Sequence, residues 1–245
     1  MRYLQKLKTL CLLGVMALIT ISPFSYAFDV VITESEFRML HENCKRFYSV
    51  SQKGRSLDFT LKFSPEELRR ANADAEAAGG AWHYCAGLVY MNRALAERSN
   101  KKKQEIYKKA LSEIAFSAQK VRDTHRVYGE IQLNKARVLF LLGEKNSSQL
   151  ALKELLRKMP DYVPAKIELA NQYAKDKKLQ DAVAILMTVE PQLREKSADL
   201  NYALGLYLYK QGKLEESYPY AQKAYKLKYP LPWLRNELMK KGYKF

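Results

Sequence analysis

Glycine and proline are scarce, at 10 and 8 of 245 residues. That argues against an all-β fold, which needs tight turns at short intervals. Histidine occurs only three times, as His41, His83 and His125. No His-Glu-x-x-His stretch occurs, and no Gly-rich phosphate loop follows a strand. An enzyme needs convergent reactive groups, and this inventory supplies few, so neither catalysis nor a cofactor is expected. Acidic residues number 26 against 42 Lys and Arg, for a formal charge of +16. After residue 21 no stretch is long and apolar enough to cross a bilayer.

What is abundant points to helix. Hydrophobic residues make up 47% of the chain, enough for a packed core. Long stretches of Ala, Leu, Lys, Glu and Gln lose little rotamer freedom in a helix.

The chain opens with Arg2, Lys6 and Lys8, an apolar run from Leu10 to Ile21, and Ser25-Tyr26-Ala27. Small residues at the two positions a signal peptidase reads make residues 1–27 a secretory signal, with cleavage expected after Ala27. An uncleaved anchor is the alternative. Cys11 has no lipobox around it. Cleavage lowers the charge from +16 to +13. An exported basic protein suits anionic envelope components or acidic protein partners before nucleic acid. The plainer reading is general solvation, because the lysines are spread along the helices. Lys101–Lys103 is the exception and marks a solvated hairpin turn.

Cys44 and Cys85 remain after cleavage. In an oxidising compartment they are expected to form a disulfide closing a loop of about 40 residues and contributing roughly 3–4 kcal/mol. Two alternatives stay open. His41-x-x-Cys44 with His83-x-Cys85 has the ligand types of a tetrahedral zinc site, though oxidation removes the thiolates zinc needs. The third is a pair of free thiols. His125 lies in a polar connector and is expected at the surface.

From residue 129 onward the chain repeats. Ala136, Ala170 and Gly205 are spaced by 34 and 35 residues, and each is followed three residues later by Leu139, Tyr173 or Leu208. Apolar residues at helical spacing follow: Leu152 and Leu155, then Ala182, Leu186 and Val189, then Ala221 and Ala224. Pro160, Pro191 and Pro230 end these second helices. Gly143 and Gly212 fall where the turn within a hairpin needs a permissive backbone. This pattern resembles the tetratricopeptide repeat. The departures are Gln132, Lys166 and Asn201, where that family has a large aromatic residue, and Ser148 and Ser217, where it has alanine.

The expected architecture is an all-α, right-handed solenoid of hairpins. Residues 28–80 form an N-terminal helical or irregular segment, and 81–128 a degenerate hairpin containing Gly87 and Tyr90. Three units follow at 129–162, 163–196 and 198–231, with a C-terminal capping helix at 232–245. Within the first segment, Thr33 and Glu36 predict a capping box opening one helix with Phe37, Leu40, His41 and Cys44 on one face. Leu57, Phe59, Leu61 and Phe63 alternate, but a lone strand has no partner in a helical array, so an extended connector is expected. Ser64-Pro65-Glu66-Glu67 predicts a helix start. The residues around Cys44, with His83–Leu88 and Asn92-Arg93-Ala94, are also similar to a group of exported tetratricopeptide proteins of Gram-negative bacteria. That likeness implies a periplasmic location and no activity.

The resemblance places a binding groove along the first helices of the hairpins. Its positions here are Arg137, Phe140 and Leu141; Ile167, Asn171 and Lys175; and Tyr202, Leu206, Tyr209 and Lys210. Aromatics mixed with Arg, Lys and Asn suit an extended peptide bearing carboxylates. The family's clamp for a C-terminal carboxylate is matched only at Asn171. The expected function is a periplasmic scaffold or adaptor in assembly of a cell-envelope machine. The alternative is binding of an anionic glycan or peptidoglycan by a basic, Tyr-rich surface.

Overall fold

The structure is a computed structural model that describes residues 30–245. The secretory signal and Cys11 lie outside the described residues. Among these residues there are helices and no strands. The N-terminal segment holds α1 (Glu34–Met39), α2 (Glu42–Val50), α3 (Gln52–Arg55) and α4 (Pro65–Ala77). Four hairpins follow. They are α5 (Ala81–Ala96) with α6 (Asn100–Lys120), α7 (Tyr128–Leu141) with α8 (Lys145–Lys158), α9 (Val163–Lys175) with α10 (Leu179–Met187), and α12 (Ala198–Lys210) with α13 (Leu214–Lys226). The short α11 (Pro191–Arg194) joins the third hairpin to the fourth, and α14 (Trp233–Met239) closes the array. Helices within each hairpin pack on one another, and successive hairpins stack. This is a solenoid, in which each unit buries its apolar face against its neighbours.

The repeat is visible atom by atom. Leu139, Tyr173 and Leu208 carbonyls accept from the N–H groups of Glu144, Lys178 and Lys213 at 2.9, 2.9 and 3.0 Å. These are the six-to-one bonds that end a helix through a left-handed residue. Gly143 (φ 85°), Lys177 (φ 63°) and Gly212 (φ 79°) supply that conformation. No atom lies within 4 Å of a Cβ built on Gly143 or Gly212, so the backbone angle rather than crowding calls for glycine there.

The polar departures from the repeat pattern are each satisfied. Ser148 donates to the Ala136 carbonyl at 2.6 Å and Ser217 to the Gly205 carbonyl at 2.7 Å, both across 12 residues. Gln132 donates to the Ala118 carbonyl, and Asn201 to the Arg194 and Ser197 carbonyls. Lys166, only 6% exposed, donates to the Thr188 carbonyl at the end of α10, where the helix dipole favours a cation. Among the described residues, no buried side-chain nitrogen or oxygen lacks a partner.

The N-terminal segment differs from expectation. The Thr33–Glu36 capping box is present. However, the helix stops at Met39, and Leu40 and His41 are extended (ψ 144° and 161°) before α2 begins. Tertiary contacts explain the break. Leu40 stays in the core, the His41 Nε2 reaches Glu130 of α7 at 2.8 Å, and Cys44 meets Cys85. Ser64 and Glu67 form the second capping box, with Pro65 in the first turn. Residues 57–63 are a connector, with Leu57, Phe59 and Phe63 packed against the core and Leu61 exposed.

Two further expectations are corrected. Lys101–Lys103 lie in the first turns of α6, capped by Ser99, and not in a hairpin turn. The His125 side chain is only 12% exposed and pairs with Asp74 at 3.3 Å, because the α6–α7 connector folds down onto α4. Pro219 sits inside α13 without ending it.

A two-toothed ion pair fastens α1 to α5. Arg93 Nε and Nη2 donate to the two Glu36 oxygens at 2.6 and 2.9 Å, and Nη2 also donates to the Val31 carbonyl. The Arg93 guanidinium holds the Glu36 carboxyl at about 2, below the usual 4.5, with Thr33 assisting and partial burial opposing. A depressed carboxyl stabilises the fold above its unfolded value and loses that contribution as pH falls toward its folded value. Thermal melts should therefore show Glu36→Gln below the parent at pH 7. The gap should close as pH drops from 4.5 to about 2. A gap that persists at the acid end would assign the effect to packing.

Candidate binding cleft

The first helices of the hairpins, α7, α9 and α12, lie side by side. Between α9 and α12 they leave a cleft of about 730 Å³. Its apolar lining comes from Val163, Pro164 and Ile167 of α9, Leu193 of α11, and Ala203 and Leu206 of α12. Its aromatic lining is Tyr202, Tyr207 and Tyr229, and its polar lining includes Arg137, Asn171, Lys196 and Asp199. Pro164 fits the first turn of α9, where its missing N–H costs nothing. Ser197 caps α12 by accepting from Leu200 N–H, which fixes where Asp199 and Tyr202 emerge.

The tyrosines form a fixed set. Tyr202 and Tyr229 rings stack at 3.9 Å with 16° between planes. Burial pushes the Tyr202 hydroxyl up to about 12, assisted by Tyr225 and Tyr229. Burial, then Glu168 and Tyr229, does the same for Tyr207. Both remain neutral at physiological pH and act as hydrogen-bonding groups on apolar bodies. The Tyr207 hydroxyl donates to the Asn171 Oδ1, which orients the amide.

The groove residues expected from sequence divide into two groups. Arg137, Ile167, Asn171, Tyr202 and Leu206 line the cleft together. Arg137 is shared with Glu168 at 3.1 Å, so it is a paired cation. Phe140 and Lys175 contact one another instead, the ammonium 4.6 Å from the ring centroid, and tie α7 to α9. Tyr209 packs edge-on to Trp233 at 5.7 Å, its hydroxyl on Glu237. Lys210 and Leu141 are exposed and do not line the cleft.

Sequence reasoning missed Tyr207, Tyr229, Leu193, Lys196 and Asp199. Tyr207 follows Ala203 and Leu204 by about one turn and reads as core. Tyr229 lies after α13 and Leu193 in α11, both beyond the two helices whose positions recur from unit to unit.

The proposed zinc ligands do not assemble. Cys44 and Cys85 are joined as a disulfide, with Cα atoms 5.4 Å apart. His41 is directed to Glu130, and His83 Nδ1 lies 2.6 Å from Glu113. Among the described residues no group of three or more His, Cys, Asp or Glu side chains could hold a metal ion. His41 instead belongs to a polar network. Glu130 accepts from the Tyr84 hydroxyl at 2.7 Å, and Asn134 donates to that hydroxyl at 2.9 Å. Burial raises the Glu130 carboxyl, but the hydrogen bonds from His41 and Tyr84 outweigh it and leave it below its ordinary value. Tyr84 is pushed well above its own by burial and by Glu130. Among the described residues no helix is long and apolar enough to cross a membrane.

No family model matches the chain, and no curated protein matches it. Among solved structures it is similar to YrrB, a TPR protein with an unusual peptide-binding site. The identity is 18% over 71% of this chain and 79% of that one, with a TM-score of 0.46. A MamA RS-1 double mutant is 18% identical over 64% of this chain and 85% of its own, with a TM-score of 0.45. MamA is 15% identical over 75% of this chain and 100% of its own, with a TM-score of 0.41. At such values the repeat assignment rests on this chain's own recurring turns and hairpins.

Proposed function

We propose that this protein is a protein-binding scaffold that takes an extended segment of its partner into the α9–α12 cleft. The observation that carries the reading is the cleft itself: an aromatic and aliphatic trough beside an oriented amide and a paired arginine. Apolar side chains of the partner would enter beside Ile167 and Leu206, and its backbone would hydrogen-bond to Asn171 and the tyrosine hydroxyls. The basic residues noted in the sequence contribute less than expected, because Arg137 is paired and Lys175 stacks on Phe140. On the signal-like first 27 residues, we place the protein in the periplasm, as an adaptor in assembly of an envelope machine.

In-cell crosslinking followed by mass spectrometry tests this. Tyr202→Ala with Leu206→Asp should reduce recovery of the partner about tenfold, as expected for removing one buried aromatic anchor. Lys210→Glu, outside the cleft, should leave recovery unchanged. Undiminished recovery from a double variant of full helical content would reject the cleft. The alternative reading, binding of an anionic envelope glycan, is favoured by a separate basic cavity.

A further inference from the structure

On the other side of the last hairpin, α13, α14 and Phe245 line a second, open cavity of about 580 Å³. Its size lies within the range of small-molecule sites, roughly 300–1,000 Å³. The chain end is held against α13 by rings. Phe245 meets Tyr218 at 5.4 Å and Tyr225 at 5.6 Å, and the Tyr218 hydroxyl donates to the Lys244 carbonyl.

The charged side chains of the lining are Lys223, Lys226 and Arg235. Lys223 is shared with Glu195. Lys226 and Arg235 have no carboxylate partner among the described residues. Arg235 is fixed by an aromatic contact instead. Its guanidinium lies over the Tyr225 ring, 5.3 Å from the centroid, and its backbone N–H donates to the Tyr225 hydroxyl at 3.0 Å. A guanidinium held over a ring keeps its N–H edge available for a carboxylate or phosphate, with less entropy to lose on binding. Phe245, 44% exposed, and Gln222 complete the wall with one apolar face and one neutral hydrogen-bonding group.

Cations alone would suit any anion. Here they stand beside an exposed aromatic face, so the ligand needs both a negative group and a flat apolar side. We infer that this cavity binds an acidic saccharide unit. Its carboxylate engages Arg235 and Lys226, and the C–H face of its ring lies against Phe245. The site shares no lining residue with the α9–α12 cleft and does not depend on that cleft binding protein.

Isothermal titration of the purified protein with a trimer of galacturonic acid tests the inference. Binding is expected, weakened by salt. Arg235→Ala should weaken it about tenfold, the loss of one charge-assisted contact. Lys226→Glu, an exposed change that leaves the fold intact, should weaken it comparably, and Phe245→Ala should weaken it further than salt alone explains. Asn171→Ala, a change in the α9–α12 cleft, should leave it unchanged. Three results would overturn the inference: no binding of the trimer, trimer binding indifferent to Arg235 and Lys226, or equal displacement by inorganic phosphate. Arg235-dependent binding to vesicles of anionic lipid without binding of the trimer would also overturn it, assigning the cavity to headgroups.

Discussion

Removing the disulfide by Cys44→Ala with Cys85→Ala is expected to cost about 3–4 kcal/mol of stability. The bond spans 41 residues, and a cross-link of that span removes this much chain entropy from the unfolded state. Alanine is the better substitute, because both sulfurs are buried and serine would add a hydroxyl without a partner. The native state should survive the change. α2 remains attached through Tyr48 to the Val30 carbonyl, Arg126 to Asn43, and His41 to Glu130. The measurement is the urea midpoint with and without reductant. The parent should shift on reduction and the double variant should not. Two thiols titrated in the unreduced native parent would show that the bond is absent in solution.

The second large effect is expected at Gly87, in the middle of α5. A Cβ there would lie 2.3 Å from Ile114 Cγ1 and 3.0 Å from the Ala110 carbonyl oxygen of α6. Alanine in a helix interior ordinarily gains about 1 kcal/mol over glycine. Overpacking at such distances costs about 1–3 kcal/mol, so the steric term wins for Gly87→Ala, and by a wider margin for Gly87→Val. Chemical denaturation should show Gly87→Val destabilised by about 3 kcal/mol. Ile114→Ala alone leaves a cavity and should also destabilise. Combined, the two should cost clearly less than their sum, because Ile114 is the side chain that the new methyls meet. Additive losses would place the strain elsewhere.

The hairpins were legible because their determinants are local. A small residue at Ala136, Ala170 or Gly205 and a large one three positions on mark the inner face of a helix, and the turn chemistry follows at fixed offset. Even the departures keep the register: Ser148 and Ser217 fill an alanine slot and bond to the carbonyl 12 residues back. The N-terminal segment was only half legible. Its capping boxes are local and could be read. The break at Leu40 and His41 is set by Cys85 and Glu130, far along the chain, and leaves no mark in the pattern. The same division runs through the cleft. Arg137, Asn171 and Tyr202 occupy repeat positions and could be named. Leu193 and Tyr229 come from the tails of units, after the second helix, where periodicity says nothing. Lys175 lies on the expected helix, but its contact with the Phe140 ring joins two units and leaves no mark in the pattern.

The buried residues do not form one continuous core. One cluster runs from Val30 to Leu169, a second from Ala170 to Tyr207, and a third, containing Tyr202, reaches from α12 through α13 to α14. The disulfide reinforces only the first. The cleft draws on the second cluster through Ala203 and Tyr207 and on the third through Tyr202, all three on α12. The cross-link therefore braces the part of the array that does not line the cleft, and the helices around the cleft are held by packing and hydrogen bonds alone.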